Sequence, residues 1–146
     1  MLNVGDNAPQ FEWLTQNANE ETLVIFMGRV SRPNSIGKSN SLVQAMNNYT
    51  IKDLKICLVW DGNEEEVQEF KSTVPGLTSL NNVCDVYDVN QTIEKDWQVS
   101  LPDPEIGNIE SQGMFVDALV KEGKISWIQH NKTFYEVILL LRGWRP

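Results

Sequence analysis

The sequence predicts an α/β fold: a three-layer α/β/α sandwich with a mixed central sheet and a late antiparallel hairpin. Three observations carry this. Short, uninterrupted apolar runs such as TLVIFM and LKICLVW have the length and composition of strands buried on both faces. Segments with apolar residues at helical spacing alternate with them, the order that a mostly parallel sheet requires. Near the end, two strand-like runs meet at Glu122-Gly123, a hairpin signal.

Taken in order, Phe11–Leu14 reads as a weak β element after the loop VGDNAP. Thr22–Met27 is a central strand. Leu42, Ala45, Met46 and Tyr49 recur at helical spacing. Gly37 costs a helix interior about 1 kcal/mol relative to Ala, so that helix is expected to begin near Ser39. Leu54–Trp60 is a second strand, closed by Asp61-Gly62. Glu64–Lys71 opens with three acids, favourable at a helix N-terminus, and Val67 with Phe70 forms its inner face. Asn82–Tyr87 is a third strand and Gln91–Trp97 a short helix. The irregular stretch SLPDPEIGNIESQG follows. Met114–Val120 and Lys124–Gln129 form the hairpin, and Thr133–Leu141 is a closing apolar helix. No repeat or linker divides the 146 residues, so a single domain over 1–146 is expected.

Composition narrows the function classes. The chain is 41% hydrophobic and 22% charged, ordinary for a globular protein, and its net charge is −8. An acidic surface opposes nonspecific nucleic-acid binding, whose affinity comes from Lys and Arg against phosphates. No run approaches the roughly 20 apolar residues of a membrane span, and MLNVGDNAPQ lacks the basic and apolar regions of a secretory signal. The expected compartment is therefore cytoplasmic, and the sequons at Asn48, Asn90 and Asn131 read as chance. One histidine, His130, and two cysteines, Cys57 and Cys84, form no metal-ligand spacing, so no metal or cofactor is expected. Both cysteines lie in strand-like runs, where buried thiol is the default. Oligomeric state is not readable.

The stretch VIFMGRVSRPNSIGKSNS, residues 24–41, carries the functional signal, since it runs from a strand through a polar loop into a helix. Its Gly37-Lys38-Ser39 suggests a phosphate loop, in which backbone N–H groups and a lysine hold phosphates and a Ser binds magnesium. The register opposes that: Arg32 stands where the motif needs its first glycine, and eight residues rather than four separate Gly28 from Gly37. A weaker possibility is that Arg29, Arg32 and Lys38 flank a helix N-terminus that holds an anion.

The same stretch resembles another family over nearly the whole chain. LNVGDNAPQFEW resembles the opening segment of peroxiredoxins and related thioredoxin-like proteins, and VIFMGRVSRPN their strand and active-site turn. ICLVWDGNEEEVQEF is similar to the next strand and helix, and GMFVDALVKEGKISWIQ to the late hairpin. The resemblance implies a thioredoxin-like fold and thiol redox chemistry at the turn. Aligned so, the family's Trp falls on Val30, its first Cys on Ser31, its Pro on Pro33 and its second Cys on Asn34, with Ser35 the nearest other candidate. No sulfur is present there. A serine hydroxyl is far more basic than a thiol, and a helix dipole worth about 1 kcal/mol does not close the gap. The family's cis-proline, or its peroxide-binding Arg, falls on Gln112.

Three functions remain open. The first is a non-catalytic binding or interaction protein whose former active-site face (Arg29, Ser31, Arg32, Pro33, Asn34, Ser35 and Gln112) meets a protein partner or small anion. There Ser31 is expected to cap the helix, and Trp97 and Trp127 are possible surface anchors, core positions being the other reading. The second is a thiol-dependent oxidoreductase, either represented by a Cys-to-Ser variant at Ser31 or Ser35 or using Cys57 and Cys84. The third is a nucleotide-binding protein with a degenerate phosphate loop.

Overall fold

The computed structural model describes residues 2–47, 54–99, 116–130 and 134–146. Its centre is a five-stranded sheet in the order β3-β2-β1-β4-β5. The strands are β1 (Glu21–Gly28), β2 (Leu54–Trp60), β3 (Val83–Tyr87), β4 (Val116–Lys121) and β5 (Lys124–His130). The three successive strands β1, β2 and β3 pair in parallel, and β4 and β5 run antiparallel. The helices are α1 (Glu12–Gln16), α2 (Pro33–Asn47), α3 (Glu64–Ser72), α4 (Thr92–Asp96) and α5 (Tyr135–Leu141). No described helix is long and apolar enough to cross a membrane.

Strand alternation divides the core into two layers. Leu23, Ile25 and Met27 of β1, with Leu54, Ile56, Leu58 and Trp60 of β2, meet Leu42 of α2, Val67 and Phe70 of α3, and Val137 and Leu140 of α5. The opposite face carries Val24, Phe26, Cys57 and Val59, covered by Leu14 of α1 and by Trp97 just past α4. A central strand buried on both sides needs apolar residues at every position, which is why TLVIFM shows no alternation. The thin second layer is closed largely by Trp97. Its ring lies 5.6 Å from that of Phe26, and its Nε1 donates to the Pro9 carbonyl at 3.0 Å. Trp97 and Trp127 are thus core residues, 0% and 6% exposed, rather than surface anchors.

Local chemistry explains the boundaries. Asn63 caps α3 by accepting from the Glu66 amide at 2.9 Å, beneath three acids that complement the helix dipole. The β4–β5 turn places Glu122 and Gly123 at φ 53° and 77°, the doubly positive pair that a two-residue hairpin favours. The start of β5's outer edge is covered by residues 5–8, where Gly5 donates to Ile125 and the Ile125 amide donates to Asp6.

Two expectations are corrected. Phe11–Leu14 is not a strand but the start of α1: the Thr15 amide donates to the Phe11 carbonyl at 3.0 Å, and buried Leu14 with half-buried Phe11 follows a spacing of three, not two. And α2 begins at Pro33, not near Ser39. Proline is pre-organised for a first helical position. The part of the hairpin expected at Met114 and Phe115 lies outside the described residues, as does Gln112.

Candidate functional site

Parallel β1 and β2 end side by side, and the loop from β1 delivers the chain to the N-terminus of α2. Gly28 has φ 71° where the register between β1 and β2 shifts, turning the chain out of the sheet. Arg29, Ser31, Arg32, Pro33, Asn34 and Ser35 then fall together around the start of α2.

Their roles differ from the sequence expectation. Ser31 does not cap the helix. It sits one residue too early, exposed and in the left-handed region at φ 60°, and makes no hydrogen bond among the described residues. Ser35 closes the helix start instead. Its Oγ accepts from the Arg32 amide at 3.1 Å and donates to the Arg32 carbonyl at 3.0 Å, while the Ile36 amide makes the first helical bond to that carbonyl at 2.9 Å. Asn34 keeps its Nδ2 buried with no partner among the described residues. The exposed guanidinium of Arg32 makes no ion pair there either.

The cationic trio weighed as a weaker anion site is taken apart. Arg29 donates from Nε to Asp61 Oδ2 at 3.2 Å, and Asp61 also accepts from Gln91 Nε2 at 2.9 and 3.0 Å. Lys38 turns inward. Its buried Nζ donates to the Phe26 carbonyl at 2.9 Å and to Asp117 Oδ1 at 2.8 Å, and Asp117 Oδ2 accepts from Gln129 Nε2 at 2.9 Å. A phosphate-loop lysine must reach outward to the ligand, and this one is a structural cation between α2 and β4, which removes the feature that suggested nucleotide binding. Of the three, Arg32 alone is exposed with no ion pair among the described residues.

Beside the Arg29–Asp61 pair lies an acid that sequence reasoning passed over. Glu94, in α4, is fully buried, with neither carboxylate oxygen hydrogen-bonded among the described residues. Burial, and then the nearby Asp61 and Asp88 carboxylates, push its pKa up to about 8, against a smaller opposing pull from Arg29. Asp88 itself accepts from the Ile93 and Glu94 amides at 3.1 and 2.9 Å, anchoring the start of α4. No sequence motif marks Glu94. Lys38 did leave a signal: with Ser35, Leu42 and Ala45 it lies at helical spacing along the buried stripe of α2.

Cys57 and Cys84 are elsewhere, Cys57 inside the sheet on β2 and Cys84 on the edge strand β3, on the face opposite α2. They are register partners on β2 and β3. Burial and then the neighbouring Cys84 push the Cys57 thiol pKa well up, the direction of a poor nucleophile. No group of three or more His, Cys, Asp or Glu among the described residues is placed to hold a metal ion.

No protein-family model matches the chain, and no curated protein matches it at a significant level. Solved structures do. The mitochondrial 1-Cys peroxiredoxin of yeast superposes with a TM-score of 0.73 at 10% identity, over 97% of this chain and 76% of that one. A cysteine-to-serine variant of PrxQ from Xylella fastidiosa gives 0.69 at 12% identity, over 98% and 97%. A thioredoxin-like protein from Parabacteroides distasonis gives 0.62 at 18% identity, over 96% and 95%. The fold is therefore a thioredoxin-like α/β fold. At these identities the likeness is one of fold.

Proposed function

We propose that this chain is a thioredoxin-like binding protein whose α2 face receives a carboxylate-bearing partner and carries out no thiol chemistry. One observation carries the reading. The turn where the fold's relatives run redox chemistry holds Ser31, Arg32, Pro33, Asn34 and Ser35, with no sulfur. Ser35 is consumed in closing the helix. What stays unspent among the described residues is a pair of side-chain donors, the Arg32 guanidinium and the Asn34 amide nitrogen, at the N-terminal end of a 15-residue helix. Donors with a positive helix end match an anion or an acidic side chain. A protein segment rich in Asp or Glu supplies that charge.

The test is affinity capture with the purified chain as bait, run in parallel with Arg32→Glu and with Lys121→Glu at the exposed β4 end. The reading expects a bound acidic segment that Arg32→Glu loses and Lys121→Glu keeps. Multiple-turnover hydroperoxide consumption or disulfide reduction that is abolished by Cys57→Ser or Cys84→Ser would make the chain a thiol oxidoreductase and overturn it.

A second reading, thiol-dependent oxidoreduction, now draws support from one specific feature, the facing of Cys57 and Cys84 across β2 and β3. The raised Cys57 pKa argues against rapid turnover there.

A further inference from the structure

We infer that Cys57 and Cys84 form a modification site independent of the α2 face: a vicinal dithiol that hydroperoxides close into an intramolecular disulfide tying β2 to β3. The two residues are direct partners in the parallel ladder, so both side chains leave the sheet on one face. Neighbouring strands lie about 4.8 Å apart, within the Cα separation that a disulfide spans. Both cysteines are free thiols.

Their access differs, and this sets the order of events. β3 is the outer strand of the sheet, and Cys84 on it is half-buried, whereas Cys57 is fully buried. Cys84 meets the oxidant first. Its sulfur attacks one peroxide oxygen, the O–O bond breaks, and an alcohol (or water) leaves, so Cys84 becomes a sulfenic acid. The Cys57 sulfur then gives up its proton and attacks the Cys84 sulfur. The S–S bond forms and the Cys84 hydroxyl departs as water. In sum the two thiols lose two electrons and two protons, and the hydroperoxide is reduced to one alcohol and one water. Attack by a buried thiol with a raised pKa is slow, so this is a lasting modification under oxidant rather than a turnover step.

The native protein treated with hydrogen peroxide, then alkylated in denaturant and digested, tests it by mass spectrometry. The expected product is a Cys57–Cys84 linked peptide from monomeric protein, reversed by dithiothreitol, with both free thiols lost together. Cys57→Ser should instead drive Cys84 to sulfinic acid or to intermolecular linkage. Recovery of both thiols unmodified, or oxidation of Cys84 at the same rate to the same product with and without Cys57, overturns the proposal. The diamide-treated wild-type protein supplies the same linked-peptide readout without any variant. Arg32→Glu should leave the linkage unchanged, so failure here and failure of the binding reading are told apart.

Discussion

Two buried ionisable positions border the same loop and are handled in opposite ways. Lys38 and Asp117, 79 residues apart in sequence, meet with full hydrogen bonding: the ammonium donates to a carboxylate and a carbonyl, and the second carboxylate oxygen accepts from Gln129. Glu94 is just as buried and, among the described residues, has no hydrogen-bond partner for its carboxyl oxygens. Burial of charge is tolerated in the first case by pairing and in the second by keeping the proton. The first is a fastener between α2 and β4, and the second makes the molecule sensitive to pH.

The contrast can be broken from either side. Lys38→Met leaves Asp117 buried beside Gln129 alone and should cost about 3–5 kcal/mol in urea unfolding. Adding Asp117→Leu to it should return much of that loss, because no unpaired charge then remains. A double variant as unstable as the single one would show that the pair's geometry, rather than its charge, matters.

Glu94 should act in the other direction. Its folded pKa of about 8 lies above its value in the unfolded chain, so the folded state holds more protons between roughly pH 4.5 and 8. Stability contributed by this group is full below that window, falls as pH rises through it and levels off above. Glu94→Gln should remove this slope, so its advantage over wild type grows with pH to a few kcal/mol at pH 8 and above. Denaturation curves for both proteins at pH 5, 7 and 9 check the sign. A difference independent of pH would mean that Glu94 is ionised in the fold.

A smaller effect sharpens the account of the turn. Ser31 has φ 60° and no cap role, so Ser31→Gly should stabilise by about 0.5–1 kcal/mol. Ser31→Ala should change little beyond that strain, whereas a true N-cap serine would lose about 1 kcal/mol.

Legibility from sequence followed how local the determining physics is. β1 and β2 were readable to within a residue or so, because a strand buried on both faces is an unbroken apolar run. The α3 start was readable from its three acids. The start of α2 was not. Ser31 suggested a cap and Gly37 a late start near Ser39, but Ser35 reaching back to Arg32 decides the matter, and that is a choice of rotamer. At Phe11–Leu14 four residues were too few to separate a period of two from one of three to four. Lys38 was misassigned for a different reason. Its place on the buried stripe of α2 was visible in the spacing, but its partner Asp117 comes from a distant strand, and only tertiary structure brings them together. The in-register meeting of Cys57 and Cys84 likewise depends on strand order, though their placement in strands did not.

The claim that matters most is that the α2 turn is a carboxylate-receiving surface centred on Arg32. Amide NMR of the labelled protein titrated with a glutamate-rich peptide tests it directly. The account predicts saturable shifts at Ser31, Arg32 and the Asn34 side-chain NH2, abolished by Arg32→Glu. Shifts confined to other surfaces, or a titration that Arg32→Glu leaves intact, would contradict it.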